Sequence, residues 1–87
     1  MDKHYLIIHF YSNLPVPVIF IINRMGLIRR YPPAEAKGKK LLGAIAGASV
    51  PLDVRHYAHN AGFFVLELKG ESVALIPPPE GFVVREW

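Results

Sequence analysis

Eighty-seven residues with a formal net charge of +3 are enough for one domain over residues 1–87, and too few for two separate cores. The chain has no cysteine, which excludes disulfides, thiolate zinc sites and thiol catalysis and agrees with a cytoplasmic protein. Hydrophobic residues make up 52% and charged residues 20%, against about 25% charged in ordinary domains, so part of the apolar surface is expected to meet a partner.

The most apolar window, residues 5–22, approaches spanning length but is interrupted by His9, Ser12, Asn13, Pro15 and Pro17. It therefore reads as two strands, with neither a membrane span nor a cleaved signal peptide, and no membrane partner is expected. The first strand is residues 4–11, rich in β-branched and aromatic side chains. Its two faces are Leu6, Ile8 and Phe10 on one side and Tyr5, Ile7, His9 and Tyr11 on the other.

A turn over residues 12–15 leads to a second strand at 16–22, with Pro17 placing its start at an edge or a bulge. Asn23, Arg24, Met25 and Gly26 form the next turn, and residues 27–31 a short third strand. Pro32 and Pro33 open a helix over residues 34–49, with Glu35 near its start and a stripe of Leu41, Leu42, Ile45 and Ala48. Gly38, Gly43 and Gly47 each weaken that helix by about 1 kcal/mol relative to alanine, so packing has to hold it.

Beyond Pro51, alternation returns in residues 52–59, followed by strands at 63–69 and 72–76, which together read as an antiparallel meander. Pro77, Pro78 and Pro79 form a stiff link to a last strand or docking arm at 77–87. Helix and strands segregate. The expected fold is α+β, a mainly antiparallel sheet of five to seven short strands with one helix, about 34–49, on one face. The other face is left for solvent or a partner.

Charge placement is the clearest non-random feature. Arg24, Arg29, Arg30, Lys37, Lys39 and Lys40 face a single acid, Glu35, within residues 24–40, a pattern suited to a polyanion such as nucleic acid. Gly38, Lys39 and Lys40 do not make a phosphate loop, because Pro33 stands where the motif has glycine and Lys40 where it has a hydroxyl.

His56, His59 and Asp53 are weak metal candidates, since residues three apart point to opposite faces of a strand. No cofactor and no catalytic residue is assigned: the acids form no close pair on one face, and no serine has a nucleophile-elbow context. The small residues at 43–48 suit a helix lying close on its own sheet.

The run Val18–Ile28, a glycine turn, a small-residue helix and a meander together resemble in element order the profilin-like sheet of Roadblock-type domains. That resemblance implies a dimerising, GTPase-scaffolding module. The flanking helices of that family have no counterpart here, and no functional residue is carried over.

The reading that joins these points is a non-enzymatic binding or assembly module, homo-oligomeric through an apolar sheet face or edge. Tyr5, Ile7, Tyr11, Phe82 and Trp87 are its expected interface. A protein partner, nucleic acid on the basic segment, and a small metal or catalytic site around His56 and His59 are the alternatives.

Overall fold

The computed structural model describes residues 3–11 and 18–87. Its elements are β1 (His4–Phe10), α1 (Val18–Arg30), a 3-10 turn (Ala34–Ala36), β2 (Lys40–Gly47), α2 (Leu52–Asn60), β3 (Phe64–Lys69) and β4 (Ser72–Leu75). The four strands form one sheet in the order β1-β2-β3-β4. β1, β2 and β3 run parallel, and β4 returns antiparallel to β3.

The fold is α+β, but the sheet is mixed and mostly parallel, with four strands and two α-helices among the described residues. This overturns the expectation of an antiparallel sheet of five to seven strands under one helix. Three local misreadings account for it. Residues 18–22 and 27–30 are not strands but parts of α1, with Tyr31 just beyond its end, and the Asn23–Gly26 turn lies inside that helix. Val18, Ile21, Ile22, Met25 and Ile28 turn inward at spacings of one, three and four, a helical stripe that outweighs the β-branched composition.

Residues 34–49 are not a helix. They hold the 3-10 turn and β2, an almost continuous small and apolar run buried on both faces, as parallel central strands are. Residues 52–59 are not a strand but α2, whose inward residues Val54, Ala58 and Ala61 are again spaced by three and four. The expected turn at 12–15 and the start of a strand at 16–17 lie outside the described residues. The assignments at β1 and at the β3–β4 hairpin hold. Gly70 opens that hairpin's two-residue loop with φ +59.

Two successive βαβ units place both helices on one side of the sheet, because such crossovers share one hand. α1 and α2 accordingly touch one another, and Arg55 of α2 reaches Glu67 of β3 at 3.1 Å. Between sheet and helices lies a core of Val18, Ile21, Met25, Ile45, Phe63 and Val65 with their neighbours. α2 is capped by Ala61, and Gly62 beyond it, with a φ of +87, reverses the chain into β3.

The arm at 77–87 folds back across its own sheet. β3 pairs with β2 only from Ala44 onward, so the start of β2 has a free edge that the arm fills. Trp87 N–H donates to the Leu41 carbonyl at 2.8 Å, and Arg85 N–H to that of Gly62 at 3.0 Å. The Trp87 ring stacks on Phe63 and lies under the Arg85 guanidinium at 3.8 Å. Glu86 accepts from His4 Nε2 at 2.8 Å and lies 3.6 Å from Lys40 Nζ, and the His4 hydrogen bond chiefly holds its carboxyl below the usual range.

A Cβ on Gly43 would run into the Phe63 ring, which is fully buried and has nowhere to move. Gly43→Ala is therefore expected to destabilise the fold by about 1–3 kcal/mol in urea unfolding. Adding Phe63→Leu should recover part of that loss, so that the double variant is less destabilised than the two single effects summed.

Candidate functional site

Because side chains alternate along a strand, the register sorts the sheet into two sides. The helix side carries Tyr5, Ile7, His9, Leu41, Gly43, Ile45 and Val65. On the opposite side, Ile8, Ala44 and Phe64 form one row, and Phe10, Ala46, Leu66 and Leu75 form the next, crossing all four strands. Leu6 pairs with Leu42 at one corner and Leu68 with Val73 at the other.

Among the described residues, no helix covers this second side. Phe10 is 73% exposed, Val73 60% and Leu75 54%, with Leu6 and Ile8 above 40%. Ala44 and Ala46 between them are buried by the taller side chains on either hand. The face is a trough of alanines along β2 between a ridge on β1 and a ridge on β3 and β4. From Leu6 to Phe10, Leu42 to Ala46, Phe64 to Leu68 and Val73 to Leu75, every side chain on it is apolar.

The expected interface residues fall elsewhere. Tyr5, Ile7, Tyr11 and Trp87 pack against the core, and Phe82 lies between His59 and Phe64. The uncovered residues are the other half of the same alternation. Sequence reading had separated the two halves of β1 correctly, but had no means of telling which one two unrecognised helices would cover.

Among the basic residues, Arg24, Arg29 and Arg30 lie on α1, Lys37 and Lys39 in the loop that follows, and Lys40 at the start of β2. Lys40 is tied to Glu86, whereas the other five make no ion pair among the described residues. His56, His59 and Asp53 share α2, so the two histidines do not diverge as they would on a strand. Among the described residues, no three His, Asp or Glu side chains converge into a metal site. A shallow apolar cleft of about 290 Å³ between α1 and α2 is lined by Val18, Ile19, Asp53, Val54 and Tyr57.

Two histidines are buried. His9 packs edge-on to Phe63, and His59 edge-on to Phe82, and the Nε2 of each lacks a partner among the described residues. Burial lowers the pKa of both, helped by Arg24 at His9 and by His56 and Arg55 at His59. No helix of the described residues is long and apolar enough to cross a membrane. No family model, curated protein or solved structure matches the chain, and the parallel strands differ from the antiparallel arrangement expected alongside the Roadblock resemblance.

A lowered histidine pKa means that the unfolded chain takes up protons before the folded one does. Stability is therefore complete above the ordinary value near 6.5 and falls as the pH drops from there toward the folded values. Each histidine contributes a slope of at most about 1.4 kcal/mol per pH unit. Urea unfolding between neutral and mildly acid pH should show this loss, and His9→Leu should flatten it without abolishing the part due to His59.

Proposed function

We propose that this protein is a non-enzymatic assembly module that self-associates by stacking its uncovered sheet face on that of a second copy. The observation that carries this reading is the apolar face of Leu6, Ile8, Phe10, Leu66, Val73 and Leu75, bordered by Phe64, on which Phe82 of the arm packs. Strand spacing of about 4.8 Å and a rise of about 3.3 Å per residue make that face roughly 19 Å by 16 Å, on the order of 300 Å² before corrugation is counted. A contiguous patch of this size is comparable with the largest on a typical monomer, which is often a functional surface.

The relief of the face favours a copy of itself as the occupant. A two-fold axis brings the same patch to both sides of an interface, so a ridge must find a trough on its twin. Here the β1 ridge and the alanine trough of β2 lie side by side, and rotation about such an axis seats each ridge in the other's trough. Stacked sheets pack about 10 Å apart with inner side chains interdigitated. The area per copy is below the roughly 800 Å² of a standard interface, so the dimer is expected to depend on concentration.

Light scattering during size exclusion, run over a concentration series, tests this. The native chain should pass from monomer to dimer, with 260 to 280 nm absorbance showing protein alone. Ile8→Glu and Leu75→Glu should each hold it as a monomer with an unchanged circular dichroism spectrum. Leu52→Glu, on the exposed helix side, should leave the dimer intact. A chain that stays monomeric at every concentration, or a dimer indifferent to Ile8→Glu and Leu75→Glu, sinks the proposal.

A further inference from the structure

The outer side of α1 is the second unusual surface, and it lies on the opposite layer from the open sheet face. A helix advances 100° per residue, so Phe20, Arg24, Leu27 and Tyr31 fall within one narrow stripe. Tyr31 continues the helical pattern, its N–H donating to the Leu27 carbonyl at 2.9 Å. This stripe points away from the core: Phe20 is 57% exposed, Leu27 61% and Tyr31 72%. A helix that packs its inner side on a sheet has no folding reason to place three large apolar residues in water on its outer side.

The charge around the stripe is of one sign. Arg24 lies within it and Arg30 beside it, with the Arg30 guanidinium 5.8 Å from the centre of the Tyr31 ring. Arg29 lies in the last turn of the helix but on the other side from the stripe, and Lys37 and Lys39 follow in the adjoining loop. From Val18 to Leu52 the only acid is Glu35. These five cations make no ion pair among the described residues, and Glu35 is the one acid in their stretch of chain.

We propose that the outer side of α1 docks on an anionic bilayer surface, with Phe20, Leu27 and Tyr31 entering the headgroup region and the arginines and lysines meeting lipid phosphates and carboxylates. Both halves of the surface are needed to choose this occupant. Cations suit any polyanion and aromatic rings such as Phe20 and Tyr31 stack on unpaired bases, but neither interaction uses Leu27, whereas the acyl boundary of a bilayer takes all three apolar side chains. Tyrosine at the polar margin and basic side chains beside an apolar stripe are the composition of helices that lie in the interface plane. This is adsorption of a folded domain and involves no spanning helix.

Co-sedimentation with phosphatidylserine–phosphatidylcholine vesicles tests it, with pure phosphatidylcholine vesicles and a duplex oligonucleotide as parallel probes. The native chain should sediment with the anionic vesicles, not with the neutral ones, and should be released at about 1 M salt, where screening acts within about 3 Å. Arg24→Ser with Arg30→Ser should weaken partitioning by about fivefold per cation removed, and Arg24→Lys with Arg30→Lys should retain it.

Leu27→Ser and Phe20→Ser should each weaken vesicle binding with all charges in place, and thermal melts will show whether each variant is folded. Since the arginine variants alter only exposed side chains, they decide the question even if Phe20→Ser unfolds. Equal binding to neutral vesicles, binding unaffected by Leu27→Ser and by the arginine changes, or retention of the oligonucleotide in place of vesicles would each overturn the proposal.

Discussion

Phe63 occupies the space that Gly43 leaves open on β2, and most of the helix side of the sheet is arranged around that fit. Met25 of α1 approaches the same glycine, His9 of β1 meets the Phe63 ring edge-on, and Trp87 stacks on it from the chain's end. Interiors pack at crystal-like density, so a ring so placed fixes its neighbours as well as itself. One side chain thus links β1, α1, β2 and the C-terminal arm. In a chain of this length a single such centre takes the place of the larger core that a longer domain would build.

The same central strand shapes both sides of the sheet. On the helix side, the glycines of β2 let Phe63 and the backbone of Tyr11 come close. On the open side, Ala44 and Ala46 stay short while Ile8, Phe10, Phe64 and Leu66 rise around them. A bulky residue at 44 or 46 would level the trough. Small residues in the middle of a sheet are therefore a packing device on one side and surface relief on the other. They read as a helix-like stripe in the sequence because leucine, isoleucine and alanine at spacings of three and four satisfy a helical template as well as a buried strand.

That ambiguity explains how much of the fold was legible. β1 is dense in β-branched and aromatic residues, and Lys69, Gly70 and Glu71 carry turn chemistry, so the first strand and the final hairpin were readable locally. α1 was not, because Val18, Ile19, Phe20, Ile21 and Ile22 have strand propensity, and only the continuation to Met25 and Ile28 reveals the period of a helix. α2 was hidden by a chance alternation over residues 52–59. Reading α1 and α2 as strands removes the crossovers from which the parallel pairing follows. The existence of an uncovered apolar face came from composition and survived these errors. Its identity did not, because which half of an alternating strand is covered depends on where the helices lie.

The layers of this molecule separate its two unusual surfaces. Self-association through the sheet places the helix layers on the outer sides of a dimer, where neither α1 stripe is occluded by the contact. A bilayer meeting one α1 stripe likewise leaves the sheet face of that copy free. The two surfaces are therefore not rivals for one partner, and each variant changes one without touching the other. Their physical character also differs. The sheet face carries no charge among its apolar rows, so its association should be nearly indifferent to salt and strengthened by solutes that favour burial. The α1 surface owes much of its attraction to its cations and should weaken steeply as salt is added. An association indifferent to ionic strength and another that is lost as it rises, in one small protein, would trace directly to the side of the sheet on which its charged residues were placed.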